Sequence, residues 1–559
     1  MRRKWLKGAL WVLLTPIVLF VILMILLYVP PVQNFIRKQA TAIASDATGM
    51  NISVERIDLR FPLNLLVRGV QVVQSEADAA DVQHPDTLLN LGSLNVSVQA
   101  WPLLQGRVEV NAITLQQVAV NSSNLLEGMH IKGTLGRFFL ESHGIDLKKE
   151  DAILNNVELS NTHMQVMLAD TTETPKDSTE TAVNWRIALH NLKLKNVSVD
   201  LQMPLDSMAL GANIGDASIE DANLDLKRQF YGWRRFTLTE SAVNYDLGMA
   251  APVEGFDASH IALRDIRIGI DSVMACGRDM NAIIREFSMY DRSGLTVTSL
   301  TGRLFADSTL IRIPYLQLKT PHSDMDLTAQ TYWKLVDIPT TGHLSARFNA
   351  NIGKQDVLLF AGGLPETFKE AYPFRPLVIH AGTEGNLKQM QISRFTAELP
   401  GAFFLSGGGE LWNLTDSLTR NGGLDFEMQT QDLNFLTGLT GVTPDGSIIV
   451  PDSMNLVARL GLDGPQCNAI LKIKEGEGSL GLDAAYNLNT EVYHADLAID
   501  ALQLHHFLPK DSIYTLTARV TAKGQGVDVA SHKTIARVEA KLDELQYARW
   551  NISGVDLDA

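Results

Sequence analysis

The chain has 559 residues, 45% of them hydrophobic, with 48 basic against 63 acidic side chains and a net charge of −15. That is too apolar for a disordered tail. It is also too acidic for a nucleic-acid binder, which needs clustered Lys and Arg to replace phosphate counterions, and no such cluster occurs beyond residue 7.

Ala9 to Val29 (ALWVLLTPIVLFVILMILLYV) carries no charge. As a helix rising about 1.5 Å per residue it spans roughly 30 Å, the hydrocarbon thickness of a bilayer, so the expectation is one transmembrane signal anchor. Pro16 falls early enough to cause no more than a kink, and Trp5, Trp11 and Tyr28 sit where interfacial aromatics are favoured. A cleaved signal peptide is the alternative, but its apolar region is about 7–15 residues, and the small-residue pairs Ala40/Ala42 and Ala42/Ala44 come too late. Arg2, Arg3, Lys4 and Lys7 precede the span and only Arg37 and Lys38 follow it closely. The positive-inside rule therefore makes residues 1–8 a cytoplasmic tip and places the bulk of the chain across the membrane.

Residues 31–49 read as an amphipathic, membrane-proximal helix. Val32, Phe35, Ile36, Ala40, Ile43 and Ala47 share one face and Gly49 supplies a stop. This stripe could lie on lipid or cap the end of a sheet; the β pattern that follows at once favours the cap.

From Asn51 the dominant period is two, as in Leu192-Lys193-Leu194, Val197 to Leu201, Leu224-Asp225-Leu226 and Ile311-Arg312-Ile313. Asn155-Asn156, Lys195-Asn196, Gly211 to Gly215 and Asn421-Gly422-Gly423 read as turns between strands. Two segments interrupt the pattern: a polar loop at 170–182 and a short helical insertion at 353–372, dividing a β region of 50–352 from one of 373–559. Longer helices are absent after residue 50, which argues against a sheet built on crossover helices.

A loose repeat of about 75–80 residues occupies the second half. An aromatic strand, a loop, an alternating strand and a short apolar turn recur with Trp333 and DVLLF, with Trp412 and DLNFL, and with Tyr486 and LQLHHFL. Repeats of this kind stack along one axis. Roughly 25 strands at about 4.8 Å each would extend on the order of 120 Å. With too few helices to cover it, such a sheet must curl around its own apolar face as a groove, or pack as successive sandwiches. The fold class expected is mainly β: an N-terminal transmembrane helix followed by an elongated, curled, repetitive sheet with a hydrophobic groove.

Catalytic chemistry is not legible. Gly476-Glu477-Gly478-Ser479-Leu480-Gly481 matches a dinucleotide pattern formally, but Leu482, Ala484, Tyr486 and Leu488 alternate after it, so it reads as a hairpin turn. Gly407-Gly408-Gly409 reads as a bulge or bend. His505-His506 has no acid at ligand spacing nearby. Cys276 and Cys467 are too few for a thiolate metal site; a disulfide or two buried thiols are both compatible with the sequence. No catalytic, cofactor or metal residues are assigned, and the chain reads as non-enzymatic.

The order of these features resembles the AsmA-like family, and within it the TamB type of Bacteroidota-like bacteria. The resemblance is carried by the basic tip and anchor, by Phe35 to Gly69 (FIRKQATAIASDATGMNISVERIDLRFPLNLLVRG), by LKLKNVSVDL at 192–201, by EGNLKQMQISRFTAEL at 384–399 and by LQLHHFLPKDSIYTLTARVTAKGQG at 502–526. It covers essentially the whole chain, through loose motifs in a consistent order. It implies an inner-membrane protein whose periplasmic β-groove carries phospholipids toward the outer membrane, partnered by an outer-membrane β-barrel assembly protein. TamB-type proteins are much longer and end in a barrel-engaging domain. This chain stops within what reads as a strand at Asn551 to Ala559, so it is expected to be the N-terminal portion of such a protein and to lack that contact.

Candidate groove residues are Leu192, Leu194, Val197, Val199, Leu201, Leu224 and Leu226. Candidates for lipid intake beside the membrane are Phe35, Ile36 and Ile43. The rival reading is a structural or chaperone-like scaffold that assists outer-membrane protein assembly by presenting a strand edge.

Overall fold

The structure is a computed structural model describing residues 29–48, 50–60, 64–73, 87–99, 110–122, 129–146, 149–168, 184–441, 445–526 and 534–559. The expected span 9–29 lies outside these apart from Val29, as do Gly49 and the polar loop 170–182. Among the described residues no helix is long and apolar enough to cross a membrane. The described chain is mainly β and divides into two compact units. The first takes the residues up to Pro252 with Ala258–Gly277 and Met289–Arg292; the second takes Val253–Asp257, Arg278–Ser288 and Ser293–Ala559.

The first unit opens with helix α1 (Pro30–Thr48). Ten strands follow: β1 (Asn51–Arg60), β2 (Asn64–Val73), β3 (Thr87–Val98), β4 (Val110–Asn121), β5 (Met129–Asp146), β6 (Asp151–Leu168), β7 (Arg186–Met203), β8 (Met208–Asp225), β9 (Phe230–Leu247) and β10 (His260–Cys276). Each pairs with its successor. All pairs are antiparallel except β6 with β7, which run parallel from Asp151 opposite Arg186 to Met167 opposite Gln202. The segment 169–185 is long enough for the crossover that a parallel pair requires.

Several residues expected to be turns lie inside strands. Asn155-Asn156 is within β6, Lys195-Asn196 within β7, and Gly211 to Gly215 within β8. Leu192 to Leu194 and Val197 to Leu201 belong to one strand of 18 residues. What these polar residues do is fold the strands. Asn161, Asn196, Glu240 and Asp265 have φ of 52–53°, Gln117 55° and Gly69 61°, the left-handed region in which a strand turns a corner.

The register aligns these corners. Glu55, Gly69, Gly92, Gln117 and Gly136 continue into Asn161, Asn196, Gly215 and Glu240, one residue per strand from β1 to β9, and on β10 the corner residue Asp265 falls in the irregular pairing between Leu263 and Ile266. The result is a single transverse crease. Glycine is needed where a neighbour's corner comes close: a Cβ on Gly215 would stand 2.4 Å from the Glu240 carbonyl oxygen, and one on Gly136 would stand 2.8 Å from the Asn161 Cβ. A second crease crosses the longer strands at Asn155, His190, Asp221, Arg234 and Ser272, with φ of 49° at Asp221 and 53° at Ser272.

Helix α1 covers the open edge of β1, but with the face opposite to that expected. Arg37 donates to the carbonyl oxygens of Val54 (3.3 Å) and Glu55 (2.7 Å), and Gln33 donates to that of Leu59 (3.5 Å). The Ser45 hydroxyl accepts from the Ile52 amide (3.1 Å). An edge strand carries unpaired amides and carbonyls, so its best cover is polar; an apolar stripe would have left them unsatisfied. Phe35 and Ile43 therefore face away, 67% and 60% exposed.

The second unit is a ladder of antiparallel strands running from Asp279–Asp291 to Val555–Asp558. It carries three short helices, α2 (Trp333–Asp337), α3 (Lys354–Leu359) and α4 (Glu366–Ala371). The insertion expected at 353–372 holds α3 and α4. Trp333, expected within a strand, instead opens α2: its indole donates to the Asp307 carbonyl (2.6 Å) and the Arg278 guanidinium lies 5.3 Å from the ring centre. Asn421-Gly422-Gly423 begins the strand Asn421–Thr430 and is not a turn. The repeat corresponds to a helical turn after every fourth strand: α3 follows Leu344–Ile352, the 3-10 turn Asn434–Thr440 follows Asn421–Thr430, and the 3-10 turn Leu504–His506 follows Val492–Gln503.

One dense core lies here. Phe368, Tyr372, Leu399, Ala402, Leu433 and Phe435 are all buried, Leu399 and Ala402 to 1% exposure, where α4 and the 434–440 turn close over strand ends.

Candidate functional site

The creases explain which side chains face inward in the first unit. In β7 the low-exposure apolar positions are Ile187 and Leu189, then Leu192 and Leu194, then Val197, Val199 and Leu201. Alternation holds within each group and slips by one residue at each crease, where His190-Asn191 and Lys195-Asn196 intervene. Strand β8 repeats the pattern with Leu210, Ala212 and Ile214, then Ala217 and Ile219, then Ala222 and Leu224. Each of these two strands thus folds into three segments with its apolar side kept inside.

Register turns these positions into continuous rows across the sheet. One row runs Ile57, Val67, Leu94, Leu115 and Phe138 through β1–β5, then Leu159, Leu194, Ala217, Leu238 and Ile268 through β6–β10. A second, one pair along, runs Leu59, Leu65, Val96, Ile113 and Leu140, then Val157, Leu192, Ile219, Phe236 and Ile270. At about 4.8 Å per strand these rows extend on the order of 45 Å. Their side chains are half-buried apart from Ala217, beside the first crease, which is 4% exposed. An apolar surface lining the inside of a folded sheet without being packed shut is a trough.

Six of the seven groove candidates share this lining. Leu192 and Leu194 lie between the creases, Val197, Val199 and Leu201 on one wall, and Leu224 on the other. Leu226 falls in the turn after β8, where its amide donates to the Trp185 carbonyl (2.9 Å). Of the membrane-proximal candidates, Phe35 and Ile43 are on the exposed face of α1; the side chain of Ile36 lies outside the described part of the structure.

The outer side of the second crease is a polar belt that the sequence reading missed. His143 Nδ1 lies 2.9 Å from the Asn155 amide nitrogen, and His190 Nδ1 lies 2.6 Å from Asp221 Oδ1. Arg234 donates to Asp221 Oδ2 (2.7 Å) and pairs with Glu220 (2.7 Å). The Arg234 guanidinium and, after it, His190 hold the Asp221 carboxyl below the usual carboxylate range. These partners lie up to 31 residues apart, so only register brings them together.

The second unit carries comparable rows. Leu316, Leu327, Phe348, Ala381 and Phe395 are followed by Gly407, Phe426, Ala458, Leu471 and Leu482. Gly407 leaves room for Phe395 and Phe426 to meet edge to face across it, 6.3 Å between centres. The neighbouring Gly408 lies opposite a register shift between Ile392 and Phe395, the bend expected of the glycine run. Gly476 (φ 54°) and Glu477 form the hairpin turn joining Gln466–Glu475 to Gly478–Asn487, as read from the sequence. His506 Nδ1 lies 2.6 Å from Glu475 Oε1, an acid that arrives from that hairpin. Cys276 and Cys467 are free thiols, each half-buried. No protein-family model and no curated protein sequence matches the chain.

Proposed function

We propose that this chain is an inner-membrane-anchored, non-catalytic carrier of phospholipids toward the outer membrane, with acyl chains held against the apolar β-trough. Residues 9–29 are the anchor, the N-terminus is cytoplasmic, and the β units are periplasmic. The resemblance to AsmA-like proteins suggests an outer-membrane β-barrel assembly protein as a partner engaged through the C-terminal domain of the longer TamB-type proteins. The observation that supports this reading is the set of unbroken apolar rows across ten strands, folded inward yet only half-buried.

The physical rationale is direct. Moving a lipid tail from bilayer to water costs about 0.8 kcal/mol per methylene, so a two-chain lipid does not cross an aqueous space unaided at a useful rate. An apolar trough removes most of that cost, while polar edges leave the headgroup hydrated.

Photo-crosslinking tests it. In β7, Leu194 is on the lining and Lys193 on the outer face. A crosslinker at Leu194 is expected to capture phospholipid in membranes, and one at Lys193 is not. Equal capture at both, or none at Leu194, would sink the carrier reading and leave the scaffold reading in its place.

A further inference from the structure

We infer that α1 lies in the membrane interface, its outward face seated on the same bilayer from which the chain emerges. This rests on the anchored reading above. Its ground is the side of the helix used against the sheet: Gln33, Arg37 and Ser45 are committed to the backbone of β1. That assignment leaves Phe35 and Ile43 on the other side, two large apolar side chains well over half exposed among the exposed Asn34, Lys38, Gln39 and Ala42.

What covers them follows from chain continuity. The uncharged run 9–29 ends one residue before α1 begins at Pro30, so a helix tied directly to that run cannot leave the bilayer surface. An amphipathic helix in that position buries its apolar face roughly 5–10 Å into the headgroup boundary. Lys38, also exposed, is placed to meet anionic headgroups, and the outward face has no acid before Asp46. Lipid is therefore the occupant the observations favour. With one face on the membrane and the other bonded to β1, α1 would fix the first strand of the trough against the bilayer.

The test uses the full chain in vesicles of phosphatidylethanolamine and phosphatidylglycerol, with Cys276→Ser and Cys467→Ser removing the native thiols. An environment-sensitive fluorophore is attached at Phe35→Cys, Ile43→Cys or the sheet-facing Thr41→Cys, and spin-labelled lipid serves as quencher. Quenching at positions 35 and 43 is expected to be roughly threefold or more that at 41. Equal quenching in protein that floats with the vesicles would overturn the interfacial placement alone. Protein that fails to float would overturn it together with the anchor. Neither result depends on lipid capture at Leu194, which reports on the trough.

Discussion

The first unit and the helix-covered end of the second present the same kind of amphipathic strand to different surroundings. Where α4 and the 434–440 turn lie over strand ends, apolar side chains reach 1% exposure, as at Leu399 and Ala402. Where, among the described residues, the sheet of the first unit faces only itself, Leu192, Leu194 and Val199 stay half-buried. Alternation along a strand sorts side chains between faces; a second layer is what closes an apolar face. The uncovered face remains available to a ligand, and the covered one is a core.

The largest expected effect separates these regions by stability. Phe435→Ala removes a ring that packs against Phe368 and Tyr372 at 5.8 and 5.5 Å, and should cost about 3–5 kcal/mol in urea unfolding. Leu194→Ala should cost about 1–2 kcal/mol, because its side chain is only partly withdrawn from water. Equal costs would break the comparison and make the trough an ordinary core.

A smaller effect probes the crease. Asn196 holds φ of 53°, a conformation that asparagine tolerates and β-branched residues resist. Asn196→Val should destabilise the first unit by about 1–2 kcal/mol, and Asn196→Gly should stay within about 0.5 kcal/mol. If the valine variant melted like the wild type, the left-handed corner would not be holding the fold of the sheet.

The smallest is a pH effect at the covered end. Asp445 is held down to about 2 from 3.8 by hydrogen bonds from Ser447, with Lys510 adding to them. Because its folded value is depressed, its contribution is present above pH 3.8 and is lost as pH falls through about 2. The difference in unfolding midpoint between wild type and Asp445→Asn should therefore shrink from pH 6 to pH 2. A gap that is constant over that range would remove Asp445 from the ties on the loop carrying Val450.

The β character, the helical insertion and the hairpin at Gly476 were legible, because each depends on neighbours within a few residues; the repeat was legible only as a spacing of about 75–80 residues, and its four strands per helical turn were not. So was the shared face of six of the seven groove candidates, since alternation is local. The creases were legible as a signal and misread: Leu154-Asn155-Asn156-Val157 and Leu194-Lys195-Asn196-Val197 each place two polar residues between apolar ones. That spacing looks like a turn in one strand. Only the repetition of the same slip on neighbouring strands, in register, marks a fold line.

The sequence by itself determined the β class and the two faces of each strand, because side-chain direction alternates whatever the partner. It also confined the longest uncharged apolar run to the region before residue 30. Tertiary structure decided the rest. Register aligned the corner residues into creases and the apolar residues into rows, and it brought His190, Asp221 and Arg234 together. It also reversed the expected orientation of α1, because the unpaired backbone of β1 needs hydrogen-bonding partners and a helix's own periodicity says nothing of what stands beside it.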